Sequence, residues 1–251
     1  MSGEPKLVVD RSMICGHRGA SEEYPENTFA AFKGAQEIGV GWIETDVQIL
    51  ADGGLVLFHD ETLQRTSSCE GRLCDLTWAE VKQIDIGSWK SPEFAAERPI
   101  RMMDLLAWQQ SSDDTPNIIW EIKIPQRETL DLVMQVADEV CRQLKICGDD
   151  RYFLTSFHRD LLRHVRRLSP SSPMALSSIA LPTDWIEFCN ECRMQALHLD
   201  GSVITERQVR DIKSEGFDVR CYTINERKHA RRLFDWGVDM IFTDNPRLFL
   251  A

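Results

Sequence analysis

The chain has 251 residues, 43% of them hydrophobic and 27% charged, and its 29 Lys and Arg against 40 Asp and Glu give a formal net charge of −11. Those proportions are ordinary for a soluble globular protein. The acidic balance argues against nucleic acid or an anionic membrane as main partner, yet leaves room for an anionic substrate met by local cations or a metal.

No stretch of 18 apolar residues is present, so stable membrane insertion is not expected. The first 15 residues carry acids and no apolar h-region, so no signal peptide is expected and the cytoplasm is the expected compartment. The eight cysteines then read as free thiols. Cys189 and Cys192 spell C-x-x-C without the second pair a zinc site wants, and read as two thiols on one helix.

In chain order, short β-rich runs alternate with helical segments. Strands are expected at 13–16, 41–50, 117–123, 152–156, 173–177, 195–200, 217–224 and 238–243. A helix begins at Asn27, read as its N-cap, and stops at Gly39. Further helices are expected near 103–111 and over 126–146, 158–168 and 182–192. The next runs from the capping box Thr205-x-x-Gln208 to Gly216, and the last from Asn225 to Gly237. Eight strands separated by helices in about 250 residues predict an α/β fold, a (β/α)8 barrel. An open doubly wound sheet is the alternative, but no G-x-G-x-x-G phosphate loop occurs.

One connection is too long. About 50 residues separate strand 2 from the next helix, far more than an ordinary βα loop. They open with Ala51-Asp52-Gly53-Gly54 before Leu55-Val56-Leu57-Phe58, a hairpin signal. Residues 52–101 therefore read as a small cap inserted after strand 2 of a single 1–251 domain. A two-residue turn at Asp52-Gly53 would place Asp46 opposite His59, on one face of the ladder.

A barrel of this kind carries its active site at the C-terminal strand ends. Those ends hold His17 and Arg18, Glu44 and Asp46, Glu121 and Lys123, Ser156, His198 and Asp200, Tyr222, and Thr243. Glu44 and Asp46, at i and i+2, share a face. Three close carboxylates need a positive charge among them, and a hard divalent cation, Ca2+ or Mg2+, prefers oxygen ligands. Histidines off the metal are free to move protons near neutral pH, while Arg and Lys suit a phosphate. Ser156 is read as a helix cap, and His158, His164 and His229 as solvated helix residues.

Taken together, H-R-G-A, P-E-N-T, E-T-D-V, D-G-x-x-V-x-x-H-D-E-T-L-x-R-T, E-I-K and the late G-V-D-x-I-x-T-D-N-P resemble the glycerophosphodiester phosphodiesterase family, in its short cytosolic bacterial form. The resemblance spans about residues 13–249. It implies a barrel with a small subdomain inserted after strand 2. It implies hydrolysis of a small-molecule glycerophosphodiester to sn-glycerol 3-phosphate and an alcohol, with one divalent cation. His17 and His59 match the acid/base pair, Glu44, Asp46 and Glu121 the metal ligands, and Arg18 and Lys123 the phosphate contacts. Tyr222 stands where an aromatic wall, often Trp, faces the substrate. A lysophospholipase D-type reaction at the same site is the alternative. It would need an apolar groove, for which Trp78, Trp89 and Phe94 of the cap are candidates. A non-catalytic barrel is a third reading, disfavoured because every matched position is filled.

Overall fold

The computed structural model describes residues 9–126, 129–148 and 150–250. Eight parallel strands close on themselves: β1 (Ile14–His17), β2 (Trp42–Ile49), β4 (Asn117–Ile122), β5 (Tyr152–Ser156), β6 (Met174–Ser178), β7 (Ala196–Asp200), β8 (Asp218–Tyr222) and β9 (Met240–Thr243). Closure is made by β1, which pairs with β2 on one side and β9 on the other. This is the expected (β/α)8 barrel, and every expected strand is present.

The main helices are α1 (Phe29–Ile38), α3 (Met102–Gln110), α4 (Leu130–Cys147), α5 (Arg159–Leu168), α6 (Trp185–Glu191), α7 (Glu206–Ser214) and α8 (Arg227–Trp236). Their apolar faces pack on the barrel wall, burying Phe32, Val136, Leu161, Phe188, Val209 and Leu233. A smaller apolar layer fills the barrel interior, with Cys15, Ile119, Phe153, Ala175, Ala196, Met240 and Phe242. No helix among the described residues is long and apolar enough to cross a membrane.

The extra strand β3 (Leu55–Leu57) runs antiparallel on β2, pairing Val47 with Leu57 and Ile49 with Leu55. It takes the edge of β2 beyond Trp42, Ile43 and Glu44, where β1 pairs. The turn differs from the two-residue expectation. Leu50 N donates to Gly54 O at 2.8 Å, so the loop is Ala51-Asp52-Gly53, with Gly53 at φ +82°. Three-residue hairpins carry such a left-handed third position, which glycine adopts without strain. The register shifts by one and sets Asp46 opposite Phe58, whose N–H donates to Asp46 O at 3.0 Å. His59 nevertheless lines the same cavity as Asp46. The ladder has ended by then, and the buried Gln48 amide donates to both Phe58 O and Asp60 O at 2.8 Å, fixing the bend that turns His59 inward.

The segment after β3 holds a short helix, α2 (Trp78–Val81), and packs Phe58, Leu63, Leu73, Val81 and Ile86 with Leu50 and Val56 of the hairpin into a separate apolar cluster. Trp78 packs on that cluster, and Phe94 meets Tyr24 of the barrel edge to face at 5.8 Å.

Several local readings change. Thr28, not Asn27, caps α1, its Oγ1 accepting from Ala31 N. Glu226, not Asn225, occupies the N-cap of α8. His158 caps α5 by accepting from Leu161 N, a role assigned to Ser156. His164 is buried against Asp138 at 3.0 Å, and His229 donates to Gly201 O at 2.9 Å. All three histidines satisfy local backbone or charge needs rather than standing free in solvent.

Candidate active site

The C-terminal strand ends open into a cavity of 330 Å³. Its lining includes His17, Arg18, Glu44, Asp46, His59, Glu121, Lys123 and Tyr222, so the structure brings together every site residue expected from the sequence. His198 and Asp200 also line it, while Thr243 is buried and donates to Asn225 Oδ1.

β1 delivers His17 and then turns sharply. Arg18 adopts φ +56° and Gly19 φ +85°. A Cβ on Gly19 would lie 2.7 Å from the backbone carbon of Ala31, so the turn presses on α1 and only glycine fits. That turn aims Arg18 N at Glu44 Oε2, at 3.0 Å. His17 Nδ1 faces Asp244 Oδ1 at 2.7 Å, and the carboxylate can only accept. Nδ1 therefore carries the proton of that bond and Nε2 is left toward the site, 4.0 Å from Glu44 Oε2. His59 repeats the arrangement, with Nδ1 2.6 Å from Asp60 Oδ1.

β2 presents Glu44 and Asp46 on one face, 2% and 1% exposed. Neighbouring β4 adds Glu121, in register with Asp46. One oxygen from each of the three carboxylates fits within a 4.8 Å span. Lys123 Nζ lies 2.6 Å from Glu121 Oε1 and 3.1 Å from Asp46 Oδ1, and Arg18 Nε lies 3.3 Å from Asp46 Oδ2. Asn27, also at positive φ, donates from Nδ2 to Asp46 Oδ2 at 3.0 Å and accepts from Thr45 Oγ1 at 2.7 Å. It orients a carboxylate instead of capping a helix.

Electrostatics separates the two β2 acids. Burial raises Glu44 well above the usual carboxylate range, and Asp46 and Glu121 add to it, outweighing Arg18 and Lys123. Asp46 is equally buried, but Lys123, Arg18, His59 and the Asn27 amide hold it well below that range. Burial lowers His59, helped by Lys123 and Arg18, against Asp46 and Asp60.

Glu44 Oε1 is buried with no hydrogen-bond partner among the described residues. An orphaned carboxylate oxygen beside two further carboxylates is a donor set that suits a hard divalent cation. The residues present therefore fit one.

The Tyr222 hydroxyl donates to Ser178 O at 2.9 Å, so its ring rather than its hydroxyl serves the cavity wall. Phe157, 47% exposed, meets that ring edge to face at 6.2 Å.

The comparisons with known proteins agree with this geometry. Residues 17–248 match the model of the glycerophosphoryl diester phosphodiesterase family. The chain belongs to that family. A glycerophosphodiester phosphodiesterase of Caldanaerobacter subterraneus subsp. tengcongensis is 31% identical over 96% of this chain and 97% of its own length. One of Bacillus subtilis is 29% identical over 97% of this chain and 87% of its own. Among solved structures, an Oleispira antarctica phosphodiesterase in complex with the product sn-glycerol-3-phosphate is 30% identical, with a TM-score of 0.88 over 94% of each chain. The family's barrel is thus present here from end to end, and the chain is an enzyme of that family.

Sequence reasoning passed over Glu26, Asp60 and Asp244 as site residues, and read Asn27 as a helix cap first and a site residue second. Their signal was available, because each lies inside a run that carried the resemblance: P-E-N-T, H-D-E-T and T-D-N-P. An acid beside a histidine in sequence reads as a solvated charge until the fold shows which ring nitrogen it meets.

Proposed function

We propose that this protein hydrolyses glycerophosphodiesters to sn-glycerol 3-phosphate and an alcohol, with His17 and His59 as the acid/base pair. One observation carries the reading: two histidines, each with Nδ1 held by a carboxylate, share one cavity with three clustered carboxylates and two cations. The family membership supports the same reaction class.

Glu44, Asp46 and Glu121 would hold one divalent cation, Ca2+ or Mg2+. Such an ion supplies neutralisation of phosphate charge and polarisation of a phosphoryl oxygen. Arg18 and Lys123 add charge-assisted hydrogen bonds to the phosphate oxygens. One histidine takes the proton of the attacking hydroxyl as its oxygen bonds to phosphorus. The other donates a proton to the alcohol oxygen as its bond to phosphorus breaks. The attacking hydroxyl belongs to water, or to the substrate's own glycerol, in which case water opens a cyclic phosphate in a second step. Tyr222 and Phe157 provide an apolar wall for the carbon skeleton. The segment 52–101 serves as a cap over one side of the mouth. None of the eight cysteines is in a disulfide, which fits a reducing cytoplasm.

The lysophospholipase D-type alternative is not favoured. Trp78 is engaged in the cap's own core and Phe94 on Tyr24, and neither these two nor Trp89 are among the residues lining the cavity, so the three do not form the apolar groove an acyl chain would need.

The test is release of sn-glycerol 3-phosphate from glycerophosphocholine with Ca2+, with Mg2+ and with EDTA. Product with metal that vanishes with chelator supports the reading. His17→Ala and His59→Ala are each expected to lose about 10²–10⁴-fold. Near-full activity in either variant removes that residue from the acid/base pair.

A further inference from the structure

Arg65 stands in the inserted segment, two residues beyond Leu63 of that segment's core, with its side chain 45% exposed. All three nitrogens of its guanidinium nevertheless donate to carboxylates. Nη1 and Nη2 donate to Glu26 Oε2 and Oε1 at 2.8 and 2.7 Å. Nε and Nη2 donate to Asp60 Oδ2 and Oδ1 at 2.6 and 3.1 Å. Each of these carboxylates holds one further group. Glu26 Oε1 accepts from Arg18 Nη1 at 2.8 Å, and Asp60 Oδ1 faces His59 Nδ1 at 2.6 Å. One guanidinium thus stands a single carboxylate away from both the phosphate-binding arginine and one of the two histidines.

We propose that Arg65 is a positioning residue, which clamps Glu26 and Asp60 and through them sets the orientation of Arg18 and His59 together. The proposal rests on the reading that Arg18 and His59 act on the phosphodiester. It makes the inserted segment part of the catalytic geometry and not only a cover.

The chemistry selects arginine. A planar fork with five N–H donors can meet two carboxylates edge-on at once, while an ammonium offers three donors from one point. Exposed ion pairs add little to stability, so the main effect of this pair of forks is geometric. Glu26 shows the strength of the link. Burial works to raise its carboxyl, but the hydrogen bonds and charges of Arg65 and Arg18 hold it below its ordinary value. A carboxylate released from Arg65 could rotate, and Arg18 or His59 would turn with it. Misplacement of a reacting group by about 1 Å can cost 10²-fold.

The experiment compares wild type with Arg65→Lys, which keeps the charge and loses the fork. On glycerophosphocholine with metal, Arg65→Lys is expected to lower kcat about 10–100-fold. Its melting temperature should stay within about 4 °C of wild type. In a His59→Ala background the same substitution should cost less, because part of its effect runs through His59. An equal cost in both backgrounds, or wild-type kcat in Arg65→Lys, overturns the proposal. A crystal structure of Arg65→Lys gives a readout independent of turnover: displaced Arg18 and His59 side chains support the clamp, and unmoved ones overturn it. That structure still decides the matter if wild type does not cleave the diester, which would instead count against the proposed reaction. Should Arg65→Lys not fold, Glu26→Gln breaks the same link from the other side, with displacement of Arg18 as the readout.

Discussion

His17 Nδ1 and Asp244 Oδ1 lie 2.7 Å apart, although 227 positions separate the two residues. The contact joins the end of the first barrel strand to the residue after the last. Barrel closure and the orientation of a histidine are therefore one event. Asp244 is held in turn by Asn225 Nδ2 at 2.7 Å and Ser21 Oγ at 3.0 Å.

Asp244→Asn is expected to lower kcat about 10–100-fold, because an amide fixes the His17 ring less firmly and need not fix the same tautomer. It also changes stability against pH. Burial raises the Asp244 carboxyl, but His17, Asn225 and Ser21 bring it down to about 2. A depressed carboxyl stabilises the fold above its unfolded value near 3.9, and that contribution is lost as pH falls toward 2. At neutral pH it amounts to about 2 kcal/mol. Urea unfolding between pH 7 and pH 2 checks this: the gap between wild type and variant should close between about pH 4 and pH 2. A gap constant over that window counts against the assignment.

Glu44→Gln separates metal binding from folding. Burial, Asp46 and Glu121 all disfavour the Glu44 charge. With EDTA the variant should therefore melt no lower than wild type. Ca2+ or Mg2+ is expected to raise the melting temperature of wild type, and the variant should lose that rise and at least ~100-fold in activity. Calorimetry with and without metal reads both effects. A wild-type metal shift in Glu44→Gln would place the ion elsewhere.

Gly19→Ala tests the turn that carries Arg18. The new Cβ would meet Ala31 backbone atoms at 2.7–2.8 Å, at φ +85°. Strain and overpacking together predict a loss of roughly 2–4 kcal/mol. A denaturation midpoint equal to that of wild type would show that the turn relaxes freely.

The C-x-x-C pair should be chemically quiet. Burial pushes the Cys189 thiol up to about 12, with Cys192 adding to it, and raises Cys192 itself, with Glu191 adding. At pH 8 iodoacetamide should label the half-buried Cys69 and Cys74 well before Cys189, Cys192 or Cys221 in the native protein. Rapid labelling of Cys189, read by peptide mass spectrometry, would contradict a structural role.

The sequence by itself determined the barrel, because strand and helix periods are local properties of the chain. It also determined which polar groups meet at the mouth of the barrel. Paired acids at i, i+2 and a polar residue at each strand end are enough to place Glu44, Asp46, Glu121, Lys123 and His17 on one rim. Only the tertiary structure decided how those groups are held. The hairpin register slipped by one residue because a left-handed Gly53 makes a three-residue loop, a choice invisible in the letters Asp-Gly. His59 reaches the cavity through the bend that Gln48 fixes, not through ladder pairing. Asp244, Glu26 and Arg65 make contacts between distant segments, and Asp60 meets the ring of the residue before it. Their chemistry depends on which ring nitrogen or oxygen each one meets, and that is fixed only when the barrel closes and the inserted segment folds against it.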